Sequence, residues 1–170
     1  HSIARRQRQM CIRDRLDTCA LIYLFLDHPH IPKAKSYADS VEFVIESDAY
    51  EVFIPTMVGV ELLGTPAMRA GASTPPISNA AVNKAKDFLF RRDFTLVEAD
   101  SFVMETAGEL CLERLIRPAD AMIVASGIAA SCQSVFTYDD KLIKACTGLN
   151  PISVTHPPAA PYGDLFSGLT

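Results

Sequence analysis

From Leu16 onward, short strand-like runs alternate with longer stretches of helical spacing, and this alternation narrows the fold more than any other feature. "CALIYLFL" (19–26) is too long and continuous for a half-exposed strand and starts a helix. "HPHIPK" (28–33) is a proline-interrupted loop, and residues 34–47 place Tyr37, Val41, Val44 and Ile45 on one helical face. "YEVFIP" (50–55) is a strand ended by proline, followed by a helix over 56–64 with Thr56 as N-cap and Gly64 as C-cap. After a loop come a helix over 77–90, a strand over 94–99, a helix over 100–115 capped by Asp100, and a helix over 117–131 with proline in its first turn. "SVFTY" (134–138) is a strand, "DDKLIKAC" (139–146) a helix, and "ISV" (152–154) a last strand. Strands separated by helices imply βα units, hence an α/β fold of three α/β/α layers around a mainly parallel central sheet. Polar sites in such sheets gather at the carboxyl ends of the strands.

That rule directs attention to "FTYDDKLIKA" (136–145), where two adjacent carboxylates end an apolar strand. Helix capping and metal binding both explain such a placement. Asp139 is one of four acids embedded in apolar sequence, where a lone charge is costly. The others are Asp17 in "LDTCAL", Glu61 in "MVGVELLG" and Asp120 in "DAMIVASGIAA". Singly, Asp17, Asp120 and Asp139 fit N-caps or first-turn acids favoured by the helix dipole. Glu61, in the middle of an apolar helix, fits that reading poorly. Helices starting at one carboxyl edge would bring the three aspartates into one cleft. Like charges that close raise each other's pKa unless a cation neutralises them, and an all-oxygen donor set suits Mg²⁺ or Mn²⁺.

In order along the chain, "LDTCALI", "VGVELLG", "RPADAMIVASGIAA" and "FTYDDKL" resemble the four acidic motifs of the PIN domain family. The resemblance runs from Leu16 to about Val154. It includes Thr18 after the first acid, Ile123 and Ala125 after Asp120, and Thr137 before Asp139. It implies a metal-dependent endoribonuclease, and small members look like VapC toxins of type II toxin–antitoxin pairs. Asp17, Glu61, Asp120 and Asp139 are then the expected catalytic and metal-holding acids, with Thr18, Thr137 and Asp140 as accessories. Asp139 is expected to serve the metal, and Asp140 the helix start or a supporting position. The implied partners are an RNA substrate, an antitoxin protein and a second copy of the chain. An RNA-processing nuclease outside any toxin pair, a non-catalytic PIN-like binding domain and, last, a phosphatase or response regulator are the alternatives.

Composition bounds the rest. At 170 residues, 49% hydrophobic and 21% charged, the chain has globular proportions and room for one core. No apolar run nears the roughly 18 residues needed to cross a membrane, and no signal-peptide pattern is present, so a cytoplasmic setting is expected. Five cysteines without a CxxC pair read as reduced thiols rather than disulfides or a zinc site.

Residues 1–15 stand apart. "HSIARRQRQMCIRDR" carries five arginines and one aspartate without clear period, and "QMCIRDR" resembles the translation of a transposase mosaic-end sequencing adapter. The segment is read as foreign to a domain spanning 16–155, with a natural basic tail as the alternative; 156–170 is a proline-rich C-terminal tail. The formal net charge of −4 becomes −8 without residues 1–15, so their arginines are not evidence for nucleic acid binding. Arg69, Lys84, Lys86, Arg91, Arg92 and Lys141 are the candidates for a local basic patch. A central strand should precede Asp17, yet Arg13, Asp14 and Arg15 stand there, against the pattern of a buried parallel strand. The segment is therefore expected to pack poorly or to serve as a makeshift first strand.

Overall fold

The computed structural model describes residues 12–25, 32–65, 68, 79–90 and 94–161. Five strands form one sheet: β1 (Ile12–Leu16), β2 (Tyr50–Pro55), β3 (Thr95–Val97), β4 (Ser134–Phe136) and β5 (Ser153–Thr155). Their order is β3-β2-β1-β4-β5 and every pairing is parallel. Helices cover both faces, giving the three-layer α/β fold expected from the alternation. They are α1 (Thr18–Leu21), continued by a 3₁₀ turn over Ile22–Leu24, α2 (Ala34–Glu46), α3 (Thr56–Gly64), α4 (Asn79–Leu89), α5 (Ser101–Arg114), α6 (Pro118–Ala129) and α7 (Asp140–Ala145).

Burial explains the choice of elements. Val52, Phe53, Ile54 and Pro55 of β2 are all buried, as a strand sandwiched between helix layers requires. In α2, Val41 and Val44 are buried and Ile45 packs against the core, matching the predicted face. The small residues of α6 let it sit deep: Ala121 through Gly127 are buried apart from Met122. A Cβ on Gly127 would lie 2.5 Å from Ile152 Cδ1 and 3.2 Å from Val135 Cγ2, so only glycine allows this approach to the sheet. The start of α3 differs from expectation. Pro55, already extended at φ −62° and ψ 138°, occupies the N-cap, and Thr56 is the first helical residue with no side-chain cap. The helix runs through Gly64, with Thr65 at its C-cap. Residues 77 and 78, the expected start of α4, and Cys11 lie outside the described residues.

Residues 12–15 of the arginine-rich segment form most of β1, the middle strand. Arg13 is exposed and pairs with Glu51 at 3.2 Å. Asp14 and Arg15 are 1% and 0% exposed. Neither oxygen of Asp14 and no guanidinium nitrogen of Arg15 has a hydrogen-bond partner. Burial pushes Asp14 up to about 6 and Arg15 down to about 10. Backbone pairing on both sides recruits this stretch in spite of its side chains.

From β1 the chain winds outward through β2 and β3 on one side and later through β4 and β5 on the other. The order therefore reverses between β1 and β4, and their carboxyl ends open onto the crevice where α/β sheets place ligands. The backbone N–H of Asp17 donates to Phe136 O at 3.0 Å, fixing the two strand ends side by side.

Candidate active site

Asp17, Glu61, Asp120 and Asp139 all line one cleft of about 570 Å³ above β1 and β4, together with Thr18, Cys19 and Arg117. An adjoining lobe of about 590 Å³ shares Cys19, Arg117, Asp120 and Asp139 and extends to Tyr138, Asp140 and Lys141. Each acid arrives on a different element. Asp17 is the first residue beyond β1 and caps α1 through its backbone carbonyl, which accepts from Ala20 and Leu21 N–H. Its carboxylate stays free of capping. Glu61 comes from the middle of α3, Asp120 from the first turn of α6, and Asp139 from the N-cap of α7.

Two threonines hold the acids. Thr137, fully buried, donates its hydroxyl to Asp17 Oδ2 at 2.7 Å and accepts from the Asp139 N–H at 3.0 Å. Thr18 donates to Glu61 Oε2 at 2.8 Å. The accessory positions at 18 and 137 thus lie against the acids they were expected to orient. Asp139 divides its two oxygens. Oδ1 accepts from Lys141 N–H at 2.9 Å and Leu142 N–H at 3.2 Å, capping α7, while Oδ2 faces the cleft. Capping, expected of Asp140, falls to Asp139. Asp140 is the first residue of α7, 86% exposed, and lies 3.0 Å from His156 Nε2.

The electrostatics are those of a site short of positive charge. Asp17 is 4% exposed, and its carboxyl is pushed up to about 6, first by burial and further by the charges of Asp120 and Glu61; Thr137 and the Thr18 amide offset part of this. Burial and the neighbouring carboxylates push the Cys19 thiol up to about 11, so it stays protonated and is no nucleophile at neutral pH. The free cysteines at 19, 111, 132 and 146 agree with reduced thiols.

Arg117, which had no role in the sequence reading, is the basic residue that meets these acids among the described residues. Its Nε donates to Asp120 Oδ2 at 2.7 Å, and its Nη2 to Asp120 Oδ1 and Asp139 Oδ2, both at 3.1 Å. Its position three residues before an acid in a first helical turn was the available signal for the Asp120 pair. Of the expected basic patch, Lys84 and Lys86 lie exposed on α4, Lys141 lines the outer lobe, and Arg69, Arg91 and Arg92 lie outside the described residues.

The donor chemistry fits a hard divalent cation: four carboxylates and no soft ligand but a protonated thiol. As they stand, no three described Asp, Glu, His or Cys side chains converge into a cage. Asp120 and Asp139 are turned onto Arg117, and Asp17 and Glu61 onto threonines. Among the described residues, no helix is long and apolar enough to cross a membrane.

Residues 16–147 match the family model of the PIN domain. The structure resembles the Mycobacterium tuberculosis toxin VapC20, described as cleaving the sarcin-ricin loop, with a TM-score of 0.58 at 15% identity over 78% of this chain and 94% of that one. It resembles FitAcB from Neisseria gonorrhoeae (TM-score 0.58, 18% identity, 85% and 97% covered). VapBC2 from Rickettsia felis, bound to a DNA fragment from its promoter, is similar to the same degree (TM-score 0.57, 16% identity, 84% and 97% covered). At these identities the structural likeness speaks for the fold alone. No curated protein sequence matches.

Proposed function

This chain belongs to the PIN domain family, and from that premise we propose that it is a metal-dependent endoribonuclease, the toxin of a type II toxin–antitoxin pair. One observation carries the reading: four acids from four separate elements line a single cleft at the point where the strand order reverses. Asp17, Glu61, Asp120 and Asp139 would hold Mg²⁺ or Mn²⁺. When bound, the ion supplies an activated water and neutralises charge developing on the phosphate. The chain's part is positional. Thr137 fixes the Asp17 carboxylate, Thr18 fixes Glu61, and the α7 cap fixes the direction of Asp139. Asp140 serves α7 and His156 rather than the ion.

The toxin reading draws on VapC20, named as a toxin, and on a toxin–antitoxin complex from Klebsiella pneumoniae of similar fold. Exposed Met104, Leu112 and Leu115 along α5 are apolar surface for a protein partner, an antitoxin or a second copy. A cytoplasmic setting follows from that function.

Cleavage of a labelled single-stranded RNA in Mg²⁺ or Mn²⁺ tests the proposal. EDTA and the substitutions Asp17→Asn and Asp120→Asn should each abolish cleavage, with the variants still folded by circular dichroism. Full activity in Asp120→Asn would refute the assignment.

A further inference from the structure

We infer that Arg117 is a built-in counter-cation of the acidic cleft, that a divalent ion must displace it to bind, and that the displaced guanidinium then holds an RNA phosphate. The inference rests on the metal-dependent reading above and extends it to a residue outside the acid set.

The atoms make the two occupants exclusive. In the lobe holding all four acids, Arg117 is the one basic side chain among the described residues. It occupies both oxygens of Asp120 and the one oxygen of Asp139 that is not spent on capping α7. A cation drawing on Asp120 and Asp139 needs those same oxygens. Two cations cannot share them without like-charge repulsion at contact distance. The open geometry of the acids follows from this: two of the four point at the guanidinium instead of at a common centre.

Release is easy to arrange. The Arg117 side chain is 73% exposed, against 15% for Asp120 and 21% for Asp139, so it can leave without uncovering core. It sits at the N-cap of α6, just past the left-handed Leu115 that ends α5, where its stem is not packed inside a helix. Its planar fork of donors suits a phosphate as well as a carboxylate. With the acids neutralised by a metal, the phosphate of a bound strand is the remaining anion in the cleft.

Manganese binding without RNA, measured by calorimetry on the full chain, reads the competition directly. Arg117→Gln should bind Mn²⁺ about 5-fold more tightly than the parent, the scale of a solvent-exposed ion pair removed from the apo state. Arg117→Lys, a cation without the fork, should fall between. Asp120→Asn should lose binding, which anchors the measurement to this cleft. Unchanged or weaker Mn²⁺ binding in Arg117→Gln, with binding lost in Asp120→Asn, would overturn the competition and leave the metal site standing. Retained binding in Asp120→Asn would instead sink the metal site and this inference with it. At saturating Mn²⁺, Arg117→Gln should raise KM for RNA about 10-fold with a smaller change in kcat. An unaltered KM would overturn the phosphate role.

Discussion

Replacing the two buried charges of β1 should stabilise this protein strongly. Asp14 and Arg15 are adjacent residues of one strand, so their side chains lie on opposite faces of the sheet and cannot pair with each other. Ser134 stands opposite Asp14 in the register and lessens its perturbation, yet neither Asp14 oxygen has a hydrogen-bond partner. The rise of its pKa from 3.8 to about 6 corresponds, at ~1.36 kcal/mol per unit, to about 3 kcal/mol of destabilisation at pH 7. The fall of Arg15 from 12.5 to about 10 corresponds to a similar amount. Asp14→Val puts a β-branched side chain in a parallel strand, and Arg15→Met keeps the length of a side chain lying 3.8 Å from the Cβ position of Gly127. Each single variant should gain about 2–3 kcal/mol, a large step against a total of roughly 5–15 kcal/mol for a domain.

Urea denaturation followed by circular dichroism measures this, with the gain read as a higher midpoint at unchanged slope. The pH dependence separates charge burial from simple hydrophobic gain. Asp14 has a folded pKa above its unfolded value, so its penalty is absent below about 3.8, grows through the interval to about 6, and is complete above it. The advantage of Asp14→Val should therefore shrink by about 2 kcal/mol between pH 7 and pH 4, while that of Arg15→Met should persist across the interval. Loss of stability in both variants at pH 7, or a pH-independent gain for Asp14→Val, would refute the reasoning.

Further outcomes follow from the same geometry. Asp17 shares the upward shift to about 6, so Asp17→Asn should make the metal-free protein as stable or more stable at pH 7 and flatten the loss of stability between pH 4 and 6, measured by thermal melts across pH. Mn²⁺ should raise Tm in the parent and not in Asp120→Asn, since an ion held only by the folded state stabilises it by mass action. Asp140→Asn should leave RNA cleavage within about 3-fold of the parent, because its carboxylate is solvent-exposed beside His156, whereas Asp139→Asn should abolish it. Leu115 ends α5 at φ 54° and is 89% exposed, so Leu115→Gly should relieve about 1 kcal/mol of left-handed strain and raise Tm by roughly 2–4 °C.

Local pattern reached most of the fold because each layer announces itself locally. The continuous apolar run of β2 and the small-residue surface of α6 are visible one residue at a time, and both are buried as they read. Strand β1 is the exception. Nothing in "IRDR" asks for a central strand; the backbone of β2 on one side and β4 on the other supplies its pairing, and the side chains bear the consequence as orphaned buried charges. Those orphans support the proposal that residues 1–15 are foreign to the domain, since apolar residues would fill the same places without loss. Sequencing the locus from unamplified DNA tests it: recovery of the same arginine-rich stretch would show the segment to be natural.

The acids were legible as a set because four charges in apolar surroundings each demand an explanation, and a shared cleft explains all of them. What the sequence could not separate was the division of labour at "DD". It posed capping and metal binding as alternatives for two neighbouring residues. A carboxylate has two oxygens, and Asp139 aims one at the α7 amides and the other into the cleft. Capping then fixes the direction of the second oxygen and leaves Asp140 free to meet His156. Arg117 escaped for a different reason: its contact with Asp139 spans 22 positions between two helix starts, and only the parallel order of the sheet makes them neighbours. A guanidinium bridging two acids cannot be read from either acid's own segment.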